Sequence, residues 1–550
     1  MSSVPGARRE GRHGHDPRHG RHGPDGSEDR HRRVVVVGSG FGGALAAWPL
    51  VEEGVDVLML ERGPWVSRGA HNWAPEGTLT RTPYYDGSRY RARTDAGAGE
   101  TGSTSCVGGP SVFYGGVSFR FREADFRPDP ELVGDSGSEW PLDYGDLEPH
   151  YAEAERILSV TGRGGDDPTE PPRSGAYPGS PDDLSHVSGE IAGAARSLGL
   201  RPFRLPLAIN YGRHGDRRPC VACGTCDTFA CAVGAKNDLA ARVIPTLMAR
   251  GMELRSGTAV TGLHAEGGRV EGVSWKDQET GVEGEVTADA VILAAGALAT
   301  PHLLLASGLT EGNPAGDVVG RYLTRHCSAI VFGGYPWMPR YEGRFHKQVG
   351  INDFYLGDPD GRGPPGTLGN IQQTQTPSMG TVEGELHVAL AFLVRPLVRR
   401  STGLLVIAED RPRAGNRVRL DPDQRDELGL PRLVVEHAYH DRDLAARDAL
   451  AARAKEVHRA AGSPATYLHE IDTFSHALGT VRMGPDPTRS PLDRECRYRG
   501  LENLWVTDGS ALPTSAGVNP SLTIAANALR VGRILARRLR AAAAGASRGR

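Results

Sequence analysis

Four consecutive valines, a cluster of glycines and a second apolar run constrain this chain more than any other feature. Val34-Val35-Val36-Val37 leads directly into Gly38-Ser39-Gly40-Phe41-Gly42-Gly43, then an Ala/Leu-rich stretch, then Val55-Asp56-Val57-Leu58-Met59-Leu60-Glu61. A run of β-branched residues suits a parallel strand buried on both faces. Gly38, Gly40 and Gly43 fit G-x-G-x-x-G: the first permits a tight turn, the second lets backbone approach a pyrophosphate, the third lets helix pack on strand. The helix opening at Phe41 presents unpaired N–H groups and its positive dipole end to phosphates. Glu61 closes the second strand about 20 residues past the glycines, where an acid accepts from an adenosine ribose 2′-hydroxyl. An acid rather than an arginine disfavours a 2′-phosphate, so NAD or FAD is expected in preference to NADP.

Length and composition exclude several classes. A chain of 550 residues, 38% hydrophobic and 24% charged, has the core for two domains or one elaborated one. Its formal charge of −3 provides no field for nucleic acid or an anionic membrane. No apolar run reaches membrane-spanning length. Residues 1–32 are Arg, His, Gly and Asp without an apolar segment; they read as a disordered tail rather than a secretory signal, and the histidines 13, 15, 19, 22 and 31 as solvated. The expected compartment is therefore cytoplasmic, with the seven cysteines mostly reduced.

The pattern along the chain predicts an α/β protein: a Rossmann-like dinucleotide domain with an antiparallel-sheet substrate-binding domain. The first occupies 33–326, including a cysteine-bearing segment at 184–240. The antiparallel domain spans 327–470, with period-two strands at 328–332, 386–392, 404–407, 417–420 and 433–436 and an amphipathic helix over 441–460. Residues 471–540 return to the α/β pattern, with a strand at 503–509 and a helix over 521–538; 541–550 read as a second disordered tail. Residues 64–100 read as loops with short strands, 162–183 as a surface loop or lid, and 254–273 as a hairpin turning at Gly267-Gly268. A Gly-rich block, Cys106 to Arg120, contains two Gly pairs and suggests backbone lying flat against a ligand.

Cys220, Cys223, Cys226 and Cys231 form C-x2-C-x2-C-x4-C. Four thiols so close in a reduced compartment point to a metal before disulfides. The spacing is one residue longer than a ferredoxin-like run and lacks its proline, and zinc prefers two separated pairs. Iron–sulfur, disulfide or free thiols, and zinc all stay open.

These motifs together resemble the glucose–methanol–choline (GMC) family of FAD-dependent oxidoreductases. The resemblance is carried by GSGFGG with Glu61, VGGPSVFYGGVSFR, AVILAAGALATPHLLLASG, HALGTVRMG and NLWVTDGSALPTSAGVNPSLTIAANA, and covers 33–538. It implies FAD whose ADP half lies on Gly38, Gly40, Phe41, Gly43 and Glu61, with Gly108 and Gly109 under the pyrophosphate. Tyr114, Gly115 and Gly116 would lie beside the isoalloxazine, Val260 over the adenine, Asp508 and Gly509 at the ribityl–pyrophosphate region, and Asn519, Pro520 and Thr523 at the flavin ring. Some relatives tether flavin through a His or Cys near the Gly-Gly block, and some of these carry that histidine where this chain has Phe113, so non-covalent FAD is expected.

The resemblance further implies His476 and Asn519 as the catalytic pair in oxidation of CH–OH to carbonyl by hydride transfer. A histidine suits removal of the hydroxyl proton, and an amide can steady the substrate oxygen without competing for that proton. His302, His326, His437 and His440 are expected to be structural. The substrate is expected to be an alcohol, with a sugar or glycoside ahead of a sterol, and the electron acceptor O2 or an electron-accepting protein. An iron–sulfur cluster at the four cysteines is implied by some bacterial relatives. A flavin-binding redox protein without turnover, or an NAD-dependent enzyme, leaves the C-terminal motifs without a role.

Overall fold

The computed structural model describes residues 31–212, 217–336, 344–376 and 395–548. Its first sheet is parallel and draws strands from both ends of the chain, in the order β18 (Leu504–Val506), β10 (Ala288–Leu293), β1 (Arg32–Val37), β2 (Val57–Glu61), β6 (Glu253–Ser256). Val35 lies opposite Val291 on one side and Leu58 on the other. All four valines are buried, as two covered faces require. Structure is described from before the expected boundary at 33: β1 starts at Arg32, and the His31 ring contacts Thr287 Oγ1 and Asp289 Oδ1, each at 2.9 Å. The other tail histidines lie outside the described residues.

Helix Phe41–Glu52 follows β1, and the last helix, Ser521–Arg548, packs against it. A Cβ on Gly532 would stand 2.3 Å from the Ala46 carbonyl oxygen, so the two helices cross at backbone contact. The last helix also continues through 541–548, correcting the tail expected there. The five alanines in that stretch are the strongest helix formers and readily extend a helix already nucleated by packing. The hairpin expected at 254–273 is β7 (Thr258–Glu266) and β8 (Arg269–Asp277), extended by β9 (Glu283–Val286), and Gly267-Gly268 turns it with φ of +57° and +81°.

The second sheet is antiparallel: β17 (Thr466–Glu470), β11 (Cys327–Gly334), β14 (Ser401–Ala408), β13 (Gly369–Thr374), β12 (Val349–Ile351) and β5 (Phe203–Arg204). Helix Asp441–Ala460 covers it, burying Ala446, Leu450, Ala454 and Val457 with Val331, Leu404 and Val406. The strand expected at 386–392 lies outside the described residues. β15 (Arg417–Arg425) and β16 (Pro431–Glu436) form elsewhere than expected. They join β3 (Tyr85–Thr94) and β4 (Gly97–Thr104) in a third sheet, with β16 parallel to β3. The β3–β4 hairpin was hidden because its outward faces carry Arg, Asp, Glu and Gly, leaving only Tyr90 and Ala92 buried to mark a strand period. Among the described residues no helix is long and apolar enough to cross a membrane.

Candidate active site

The turn after β1 is shaped by close approach. Gly38 has φ of +98°, and a Cβ there would lie 2.4 Å from the Ala294 carbonyl oxygen; one on Gly43 would lie 1.9 Å from that of Gly38. Gly40 differs, with no atom within 4 Å of its Cβ position, so the helix N-terminus at Phe41 faces open space. Gly42, outside the sequence pattern, receives the C-terminal strand: its Cβ position is 2.8 Å from the Thr507 carbonyl oxygen, and the Thr507 hydroxyl donates to its carbonyl at 3.2 Å.

Glu61 draws the motifs together. Its Oε2 accepts from the Ser39 N–H at 3.0 Å and the Ser39 hydroxyl at 2.6 Å, and its Oε1 accepts from the Gly63 N–H at 2.8 Å. The Ser39 hydroxyl oxygen in turn accepts from the Gly108 N–H at 2.9 Å, and the Cβ position of Gly109 lies 3.4 Å from Gly40 Cα. A carboxylate has about four lone-pair sites, so Glu61 keeps acceptor capacity for a ribose hydroxyl. Open glycine backbone, a helix N-terminus and a buried acid form a donor and acceptor set that fits a dinucleotide.

The next residues of the block lie on the cysteine segment. The Tyr114 ring stands 5.6 Å from Phe41. Buried Lys236 donates to the carbonyls of Tyr114 (2.7 Å), Cys226 (3.0 Å) and Phe229 (2.8 Å). The Gly116 carbonyl accepts from the Ala208 N–H at 2.7 Å. Val260 is buried in β7 opposite Trp275. Asp508 accepts from the Gly296 N–H, the Thr300 hydroxyl and Ser510, and burial pushes its carboxyl up. The Thr523 hydroxyl pairs with Tyr151 at 2.8 Å. Asp508 and Thr523 thus brace the wall with their side chains. Pro520 starts the last helix by accepting from the Ile524 N–H, and Gly509 accepts from the Gly479 N–H at 3.1 Å, drawing in the segment that carries His476.

His476 and its neighbour His326 form a chain of hydrogen bonds. His326 Nε2 lies 3.0 Å from the Ser515 carbonyl oxygen, and the two Nδ1 atoms are 3.0 Å apart. A carbonyl only accepts, so His326 Nε2 donates. Burial lowers the His326 pKa and keeps the ring neutral, which makes its Nδ1 an acceptor. His476 Nδ1 must then donate, leaving a lone pair on His476 Nε2. Burial, the His326 ring and Lys347 push His476 down to about 3, although the residue as a whole is half-buried. Asn519 Oδ1 accepts from Gln372 Nε2 of β13 at 3.0 Å, so its amide nitrogen is the group left to donate. Segment 514–520 connects both residues, through Ser515 at one end and Asn519 at the other.

His326, Gln372 and Lys347 were not found by sequence reasoning. His326 was expected to be structural, and it does bond to backbone, but its other nitrogen meets His476 across 150 residues. No local pattern encodes such a contact. His302, bonded to the Pro431 carbonyl, and His437, bonded to Asp410, match the structural expectation.

The four clustered cysteines are free thiols, partly buried. Among the described residues no three His, Cys, Asp or Glu side chains gather to hold a metal. Of the readings left open for Cys220, Cys223, Cys226 and Cys231, the iron–sulfur and zinc ones therefore find no support among the described residues. Their segment instead contributes backbone: the Cys226 carbonyl holds Lys236, and the Thr228 N–H donates to the Phe113 carbonyl.

Comparison with known proteins accords with this geometry. Residues 36–87 match an NAD(P)-binding Rossmann-like domain, and residues 183–328 and 412–528 match GMC oxidoreductase. The 6'''-hydroxyparomomycin C oxidase of Streptomyces lividus is 34% identical over 96% of this chain and 95% of its own length. The chain belongs to the GMC oxidoreductase family. It is accordingly an FAD-dependent oxidoreductase acting on CH–OH donors, as its relatives' names as oxidases and dehydrogenases indicate. Paromamine 6'-oxidase of Streptomyces fradiae is 32% identical, covering 94% of both proteins. The 2-methyl-1,2-propanediol dehydrogenase of Mycolicibacterium austroafricanum is 29% identical, covering 92% of this chain and 95% of its own. Among solved structures, pyridoxine 4-oxidase from Mesorbium loti shares the fold, with a TM-score of 0.64 at 19% identity over 92% of this chain and 99% of that one. For this GMC oxidoreductase the expected Rossmann-like domain, FAD and CH–OH chemistry thus hold.

Proposed function

We propose that this GMC oxidoreductase oxidises a hydroxyl of an amino sugar to a carbonyl, with His476 and Asn519 as the catalytic pair. The observation that carries the mechanism is the hydrogen-bond chain from the Ser515 carbonyl through His326 to His476. It leaves Nε2 of a neutral imidazole as the base that takes the hydroxyl proton. The Asn519 amide N–H steadies the oxygen as that proton leaves, because its own oxygen is engaged by Gln372. Bound FAD supplies the acceptor for the hydride from the same carbon. Gly38, Gly40, Phe41, Gly43 and Glu61 hold its ADP half, and Gly108 and Gly109 its pyrophosphate. Tyr114, Gly115, Gly116, Val260, Asp508, Gly509, Pro520 and Thr523 complete the enclosure. Phe113 offers no nucleophile, so the cofactor is held without a covalent bond.

The substrate class rests on the two relatives more than 30% identical along nearly the whole chain, named for paromomycin-type and paromamine substrates. Gln372, Thr374, Lys347 and Asp227 around the pair are polar, which favours a sugar over a sterol. The test is anaerobic mixing of the purified flavoprotein with paromamine and, separately, with a sterol. Bleaching of flavin absorbance by paromamine is expected; bleaching by the sterol alone would overturn the assignment.

A further inference from the structure

Asp227 lies within the cysteine segment, yet its carboxylate reaches the catalytic wall. Lys347 Nζ donates to Oδ1 at 2.8 Å and to Oδ2 at 3.0 Å, and the Thr374 hydroxyl donates to Oδ2 at 3.1 Å. Three neighbours place it in the site. A Cβ on Gly115 would stand 2.0 Å from Asp227 Oδ1 and 2.6 Å from Lys347 Nζ, so only a side-chain-free residue lets this pair rest on the block beside the flavin position. Lys347 is among the charges acting on the His476 ring. Thr374 lies two residues from Gln372 in β13, so both project from one face about 7 Å apart along the strand. Gln372 holds Asn519 and Thr374 holds Asp227, which sets a carboxylate one short span from the catalytic amide.

The Lys347–Asp227 pair is unequally covered. Here the Lys347 side chain is 6% exposed but that of Asp227 is 22% exposed. The two oxygens accept three hydrogen bonds where a carboxylate can take about four. We infer that Asp227 is a substrate-binding residue, its open lone pair accepting from the ammonium of the amino sugar whose hydroxyl is presented to His476. The inference rests on the amino-sugar reading above and deepens it. An acceptor-only group takes only donors, and a charged donor gives the stronger bond. Lys347 fixes the carboxylate, and the cysteine segment acquires a role in carrying it.

The test compares wild type with Asp227→Asn using methyl 2-amino-2-deoxyglucoside and methyl glucoside. The readouts are kcat/KM for flavin reduction and the Kd of each glycoside from calorimetry on the FAD-loaded enzyme. The ratio of amino to neutral kcat/KM is expected to fall by about 10- to 100-fold in the variant, the loss of one charge-assisted hydrogen bond. The Kd ratio should move with it. Asp227→Glu, which keeps the charge, should recover part of the preference, and guards against a misfolded Asn variant, recognised by lost flavin. An unchanged ratio in a flavin-replete variant would overturn the role of Asp227 alone. Failure of wild type to reduce its flavin with either glycoside, while a neutral non-sugar alcohol succeeds, would overturn the amino-sugar reading and this inference together.

Discussion

An imidazole serves as a base only if the nitrogen facing the substrate carries the lone pair, and at His476 that choice is made by His326. His476→Ala should slow flavin reduction by roughly 10²–10⁴-fold, measured by anaerobic stopped flow, with flavin content unchanged. Because His476 titrates near 3, it stays unprotonated as pH falls through 6.5. The reduction rate should therefore remain flat from pH 7 to about 4.5; a fall with a midpoint near 6.5 would assign a solvent-like imidazole. Beneath the same loop, Glu409 accepts from the Ala516 N–H at 2.9 Å, and burial raises it from 4.5 to about 8. The folded protein keeps this proton across pH 4.5–8 while the unfolded chain loses it. The group's stabilising contribution is thus full below 4.5 and declines as pH rises to 8, at about 1.4 kcal/mol per pH unit. Glu409→Gln cannot ionise, so its stability relative to wild type should grow over that window and level off above it, read from denaturant melts at several pH values. The sequence motifs single out His476 and Asn519, and the structure joins each to a residue that no motif marks. The contacts of His326, Gln372 and Asp227 were not legible, since each forms with a partner distant in sequence.

At the scale of elements, the most legible pieces carry their signal within one stretch. The valine strand with its glycine turn, the hairpin at Gly267-Gly268 and helix Asp441–Ala460 all formed where the pattern placed them. What failed was pairing between stretches. β15 and β16 alternate like sheet strands, but alternation does not say which sheet, and their partners β3 and β4 carry too much exposed charge to announce themselves. Cross-strand ion pairs such as Arg432 with Glu100 join these strands at the surface, where each contributes little. Helix crossing is equally silent in sequence. Gly532 reads as a weak point in a helix, yet its missing Cβ is what admits the Ala46 carbonyl. Gly532→Ala gains helix propensity but must push the two helices apart. A net loss of about 1–3 kcal/mol is expected, and a higher melting temperature in this variant would show that the crossing is not tight.

At the scale of the molecule, the cofactor site is closed by parts of the chain far apart in sequence: Thr507 reaches Gly42 across 465 residues, and Asp508 binds Gly296 and Thr300. The unfolded chain cannot present this site, so FAD binds only the folded form and stabilises it by mass action. At a hundredfold excess over Kd the contribution is about 2.7 kcal/mol. The two halves of the cradle separate this effect. The turn from Gly38 to Gly43 with Glu61 is formed without the flavin ring, whereas Tyr114, Gly115 and Asn519 are the residues proposed above to meet the ring. Flavin-free protein should therefore melt at lower temperature than holoprotein. ADP, which occupies only the first half, should restore part of the difference in a concentration-dependent way, and FAD all of it. Riboflavin should restore less than ADP, because it lacks the phosphates that meet the helix N-terminus at Phe41. If ADP gave no protection while riboflavin did, binding would be anchored at the ring, and the glycine turn would lose its assigned role.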